Sequence, residues 1–296
     1  MRRIQIVLLS VMVGLILASC KTTTVNEVVF QTHKLEFSIN LEKQSAIFSD
    51  TGSMDVYEGG NLLYLTPDAE LSKFEIDGVA LEYMLLDSGA LKGLNRDLAA
   101  NILALDPNND ALWVMFEQKS SKNTSFRLEY SSEFKEDVSE VKFSNQNVGR
   151  EVTGTILEKG AYFSPASYYY PRGNDGLMRF EVEVTIPSHW ESIADGNSVS
   201  NELKGDTKIQ SWKNPYESDG LMFMAAPFVV KHAKAGDVDI FCYFFEEDTS
   251  LFETYLPATV GYMHMYSEMI GPYPYERFTV AENFFPTGYG MPAWTL

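Results

Sequence analysis

Between Leu35 and Phe245 hydrophobic and polar residues change places at every second position in short runs. Leu112-Trp113-Val114-Met115-Phe116 is an apolar run among them, while Leu35-Glu36-Phe37-Ser38-Ile39, Ser125-Phe126-Arg127-Leu128-Glu129-Tyr130 and the stretch from Arg179 to Ile186 carry the pattern. In the last, Phe180, Val182, Val184 and Ile186 point one way while Glu181, Glu183 and Thr185 point the other. One face is then buried and one wetted, as in antiparallel sheets. Turn residues separate the runs at Gly59-Gly60-Asn61, Asp77-Gly78, Asp106-Pro107-Asn108-Asn109, Gly173-Asn174-Asp175-Gly176, Asp195-Gly196-Asn197 and Gly236-Asp237. The expectation is a mainly β fold, an antiparallel β-sandwich or saddle over residues 35–247. Leu94, Leu98 and Leu105 allow one short helix between Leu91 and Leu105.

The period changes at Asp248. Phe252, Leu256, Val260, Met263, Tyr266 and Ile270 recur at steps of three and four, one stripe of an amphipathic helix. Ser250-Leu251-Phe252-Glu253 has the form of a capping box at its start, Pro257 is a kink point, and Gly271-Pro272 stops it. A strand from Arg277 to Glu282 follows, and then a glycine-containing loop. Residues 248–296 therefore read as the opening of a separate α/β domain.

The first residues read differently again. Arg2 and Arg3 precede an apolar run from Ile4 to Leu17, interrupted by Gln5, Ser10 and Gly14, and small residues lead to Cys20. The run is shorter than the roughly 20 residues a bilayer core needs, so it predicts a cleaved signal peptide over 1–19. Leu17-Ala18-Ser19-Cys20 resembles the lipobox of bacterial lipoproteins, which implies acylation of Cys20. Acyl chains contributing about 0.8 kcal/mol per buried methylene would hold the body on a membrane. Lys21 after the cysteine implies, by the same resemblance, the outer membrane as address. Residues 20–34, rich in Thr and Val to Gln31, are expected to be the lipidated cysteine and a tether.

Composition narrows the partners. The chain carries 23 Lys and Arg against 41 Asp and Glu, a net -18 over 296 residues, and such a surface repels phosphate backbones. Nucleic acid is not expected as a partner. Cys20 and Cys242 sit in unlike contexts and predict no disulfide.

The C-terminal stretch resembles the zinc aminopeptidase family of membrane alanyl aminopeptidase (aminopeptidase N). The matching residues are Gly271-Pro272-Tyr273-Pro274-Tyr275, then Phe278-Thr279-Val280, then Gly288-Tyr289-Gly290-Met291-Pro292, which looks like the family's Gly-x-Met-Glu-Asn loop. Upstream, Val184 to Trp190 with Asp195-Gly196-Asn197, and Trp212-Lys213-Asn214-Pro215, are similar to strands of the family's N-terminal domain. The resemblance implies a β-sandwich leading through a helix into the α/β start of a thermolysin-like catalytic domain, with zinc as cofactor and peptides as substrate. It also implies that Gly288, Tyr289, Gly290, Met291 and Pro292 contact substrate, since glycines let backbone approach an extended peptide; a plain turn is the other reading.

Two departures follow. Pro292 stands where the family's amine-binding glutamate belongs. The family's His-Glu-x-x-His is missing too, since His33, His189, His232 and His264 are followed by Lys34, Trp190, Ala233 and Met265. The chain is thus expected to hold no catalytic or metal-ligating residue, to bind no zinc and to be inactive alone, as the N-terminal fragment of a longer peptidase whose zinc motif lies beyond Leu296. A non-catalytic β-sandwich lipoprotein that binds a partner or glycan at the cell surface is the alternative.

Other groupings have plainer readings. His264 and Glu268 stand one helical turn apart as a surface pair, and Met263, Met265 and Met269 read as core filling. Cys242 reads as a buried strand residue, Glu181 and Glu183 as one wet strand face, and Tyr168-Tyr169-Tyr170-Pro171 as either packing or a binding surface.

Overall fold

The computed structural model describes residues 25–87, 89–105, 111–138, 152–174, 176–285 and 290. Its largest element is an eight-stranded sheet, ordered Asn197–Lys204, Thr207–Lys213, Arg179–Pro187, Val29–Asn40, Ser45–Val56, Ser121–Glu133, Glu70–Ile76 and Val79–Ala80. Phe180, Val182, Val184 and Ile186 are buried as the alternation requires, and Glu181 and Glu183 face outward. Against the apolar face packs a four-stranded sheet, Gly154–Leu157, Gly160–Phe163, Phe223–Ala226 and Glu191–Ala194. Phe37, Phe48, Phe163, Tyr169 and Phe223 interlock between the two layers, with Phe163 stacked on Tyr169 at 5.1 Å and Phe37 edge-on to Phe223 at 4.9 Å. Tyr169 and Tyr170 are wholly buried, so that run is packing.

A second four-stranded sheet, Val25–Glu27, Gly59–Leu65, Leu112–Gln118 and Tyr83–Leu86, lies beside the sandwich. The helix Arg96–Leu105 covers it with Leu98 and Ile102. This explains why the strand from Leu112 is buried on both faces. Leu112, Val114 and Phe116 enter the main core while Trp113 and Met115 meet the helix side.

Several expectations need correction. The sheets are mixed: Arg179–Pro187 runs parallel to Val29–Asn40, and Val25–Glu27 parallel to Gly59–Leu65. The tether does not extend to residue 34, because Val25, Phe30 and His33 are buried in strands and Val28 is buried between them. Gly59-Gly60-Asn61 opens a strand, and the turn lies just before it, where the Asn61 amide accepts from the Tyr57 N–H and donates to the Tyr57 and Gly59 carbonyls. The expected capping box does not form. A 3₁₀ segment, Glu246–Leu251, feeds the helix Phe252–Ile270, and no side chain caps it.

That helix lies on a three-stranded sheet, Val229–Ala235, Val238–Phe244 and Arg277–Ala281, which takes strands from both sides of residue 247. Leu256, Val260 and Met263 pack on Ala235, Val238 and Ile240, and Phe252 on Cys242 and Phe244. The opposite sheet face, with Phe241 and Tyr243, packs with Phe228, Tyr162, Ile193 and Met224 of the sandwich. The α/β unit is therefore seated on the second layer of the sandwich. Of the helix stripe, Tyr266 and Ile270 are exposed, as are Met265 and Met269, so only Met263 of the three methionines fills core. The apolar side chains of the last two turns are therefore left exposed.

Inside the main core His33 Nδ1 and Asp50 Oδ2 meet at 2.6 Å with both side chains fully buried. The imidazole stacks on Phe180 at 5.2 Å. Desolvation raises the Asp50 carboxyl, and the His33 charge and hydrogen bond oppose it. Removing one partner strands the other in an apolar interior, so Asp50→Ala should cost about 3–5 kcal/mol in a denaturation titration. The pair replacement His33→Phe with Asp50→Leu should cost far less than the two single changes summed. Because a raised carboxyl favours folding while protonated, its contribution fades as pH climbs above the ordinary carboxylate range. Asp50→Asn should flatten that part of the stability profile. Additive single and double costs would show that the two groups do not act as a pair. Cys242 generates a second expectation: burial pushes its thiol up to about 11. At pH 8 it should react with a disulfide reagent only after unfolding, and prompt reaction in the folded protein would contradict this placement.

Candidate functional site

The expected substrate loop grows from the strand Arg277–Ala281, so the site is built from what fixes that strand. It runs parallel to Val238–Phe244, with Arg277 opposite Asp239 and Ala281 opposite Tyr243. The pairing continues as the Glu282 N–H donates to the Tyr243 carbonyl at 2.9 Å. Glu282 in turn accepts from the Phe245 N–H at 2.9 Å. Desolvation raises its carboxyl, the Phe245 bond opposes that, and nearby Asp248 and Glu247 add to the rise.

Beyond Glu282 the chain crosses onto the sandwich. Phe285 packs edge-on against Tyr162 at 5.4 Å, and Phe284 covers Gly160 so closely that a Cβ there would stand 2.6 Å from its ring. A side chain at 160 would have to push that ring aside and would crowd the Ala225 carbonyl oxygen at 3.1 Å. The loop is thus launched from the junction of the α/β unit and the second sandwich layer. Gly288, Tyr289, Met291 and Pro292 lie outside the described residues, and so does Cys20. Gly290 is exposed, with nothing within 4 Å of a Cβ placed on it.

The start of the strand is held by a buried cation. Arg277 is 4% exposed, and its guanidinium lies 4.5 Å from the Trp212 ring centre and 5.1 Å from that of Phe241. It donates to the Gly196 carbonyl at 3.1 Å and to the Tyr243 hydroxyl at 3.4 Å. Gly196 has φ +93°, and a Cβ there would strike the Lys213 carbonyl oxygen at 2.3 Å, so only glycine presents its carbonyl this way. Trp212 and Gly196 belong to the sandwich, while Phe241, Tyr243 and Arg277 belong to the three-stranded sheet. The residue is a staple between them. In the sequence Arg277 stands out only as the first residue of a strand, because its cage is assembled from three distant segments.

The remaining candidates do not converge. His264 and Glu268 are both exposed on the helix and no bond joins them. Glu181 pairs with Lys213, and Glu183 accepts from Ser211 at 3.2 Å. Among the described residues no group of three or more His, Cys, Asp or Glu is placed to hold a metal ion. The described residues therefore do not fit a zinc centre.

No known family's sequence profile matches the chain, and no curated protein matches it. Solved structures do. An M1 zinc metallopeptidase from Deinococcus radiodurans is similar with a TM-score of 0.63 at 14% identity, over 86% of this chain and 56% of that one. Its E323A mutant bound to a Tyr-Ser-Ala substrate gives a TM-score of 0.60 at 14% identity with the same coverage. A two-domain M1 zinc metallopeptidase E323A mutant bound to L-tryptophan gives 0.63 at 13%. The chain spans about half the length of these proteins, 56% of each. At this level of identity the likeness is one of architecture, and the protein has the mostly β fold of the N-terminal part of M1 zinc metallopeptidases.

Proposed function

We propose that this chain is the N-terminal part of a membrane-anchored zinc metallopeptidase of the aminopeptidase type, carried on an acylated Cys20 and addressed to the outer membrane. The observation that carries the reading is the structural likeness over 86% of the chain, which takes in the sandwich together with at least part of the α/β unit seated on it. The helix Phe252–Ile270 adds support. Tyr262, Tyr266, Met269 and Ile270 are exposed, the last two by 69% and 83%, and a contiguous apolar face of that kind is usually covered by another part of a protein. In this reading the sandwich is a platform, the three-stranded sheet is one wall of a cleft, and the residues from Gly288 to Pro292 line it. Peptide hydrolysis belongs to the longer protein, where two histidines one turn apart and a further carboxylate would hold zinc and a glutamate would act as base. Pro292 removes the charge with which a glutamate would hold a free amine, so the reading predicts a weakened requirement for an unblocked N-terminus.

Extending the reading frame past codon 296 should reveal His-Glu-x-x-His within some tens of residues. The extended protein should release amino acids or peptides from reporter substrates in a chelator-sensitive way, while residues 21–296 alone should not. A natural stop after Leu296 would overturn the peptidase reading and leave a tethered binding module. Cys20→Ala should move the protein from the membrane to the soluble fraction, and continued membrane association would overturn acylation.

A further inference from the structure

The cage around Arg277 opens into a cavity of about 500 Å³ between the hairpin Asn197–Lys213 and the three-stranded sheet. Three carboxylates line it, and each already has a partner. Glu191 accepts from Lys208 and from Gln210 at 2.7 Å, Asp239 from His232 at 2.6 Å with Lys234 at 3.2 Å, and Glu276 from Asn197 at 2.8 Å. Burial works against the Asp239 carboxylate, but His232 and Lys234 outweigh it and hold the group below its ordinary value. The cation facing them is the group left over. A guanidinium carries five N–H donors. Arg277 uses two, on a neutral carbonyl and a neutral hydroxyl, and no carboxylate among the described residues forms an ion pair with it. Asp195 acts on it only through space, and desolvation lowers its affinity for its proton. Among the described residues its Nε has no acceptor, and the side chain lines the cavity.

A buried guanidinium with unused planar donors, stacked between Trp212 and Phe241, is preorganised for one kind of ligand. We infer that this cavity is a binding site for a small monocarboxylate, whose two oxygens take the free N–H edge of Arg277 while its body lies along Asn197, Ser198 and Asn201. Carboxylate is favoured over phosphate because the planar fork matches a carboxylate and because a dianion would also face Glu276, whose partner is the uncharged Asn197. The ligand's carboxylate could belong to a free organic acid or to the C-terminus of a peptide, which share this chemistry. The site stands on its own, whatever the fate of the peptidase reading.

The test is a calorimetric titration of the full chain with N-acetyl-Ala-Ala, its C-terminal amide, acetate and inorganic phosphate. The acid should bind at least about tenfold more tightly than its amide and more tightly than phosphate. Acetate binding as well as the dipeptide would assign the source to free organic acids, and weaker acetate binding would assign it to peptide termini. Arg277→Lys keeps the charge but loses the fork, and should weaken the acid by about tenfold or more. Should that variant fold poorly, Asn201→Asp answers the same question from an exposed position, because an added carboxylate on the lining should weaken binding of the acid by several-fold more than that of the amide. Equal binding of acid and amide, preference for phosphate, indifference to both substitutions, or no binding of any probe would each overturn the assignment.

Discussion

Taking a guanidinium out of water costs several kcal/mol unless hydrogen bonds and aromatic faces replace what the solvent gave. Arg277 is buried where that replacement comes from two sides of a junction: Trp212 and the Gly196 carbonyl from the sandwich, Phe241 and Tyr243 from the three-stranded sheet. None of these groups can satisfy the cation unless both sides are in place. The seating of the α/β unit is therefore cooperative with the hairpin that ends in Lys213, and the strand that launches the expected substrate loop inherits its position from that contact.

The rest of the architecture follows from the same need to cover two faces of each sheet. The eight-stranded sheet hides one face behind aromatic rings and leaves the other to paired charges such as Lys213 with Glu181 and Arg127 with Glu129. Such exposed pairs add little to stability and serve mainly to keep a broad sheet wet. The smaller sheets are covered on both sides, one by the helix Arg96–Leu105 and one by the helix Phe252–Ile270. At the end of the second helix Tyr266, Met269 and Ile270 stand exposed, because no described element covers them.

What could be read from the sequence was what depends on neighbours in the chain. Alternation placed Phe180 to Ile186 and the wet faces of Glu181 and Glu183, and the three-to-four-residue step placed the helix from Phe252, with Gly271 ending it. What escaped depends on distant partners. The first residues of the strand Val29–Asn40, up to Lys34, were hidden as a tether because one of its two pairing partners, Arg179–Pro187, lies far down the chain and runs parallel. His33 looked like an isolated histidine because only the register that sets Gly52 opposite it brings Asp50 within reach. The apolar run from Leu112 gave no sign of the helix that covers its other side. Of the site, the launching strand was legible and its anchor was not, because Trp212, Gly196 and Phe241 come together only in three dimensions.

Native-state hydrogen exchange reaches the central claim most directly, because it reports each amide's opening separately. If the sandwich and the α/β unit are locked through Arg277, amides of Arg277–Ala281 and Val238–Phe244 should be protected to the same level as those of Arg179–Pro187 and open together with them. Exchange of the three-stranded sheet at much lower protection, while the sandwich stayed closed, would show two independently hinged parts and contradict the account.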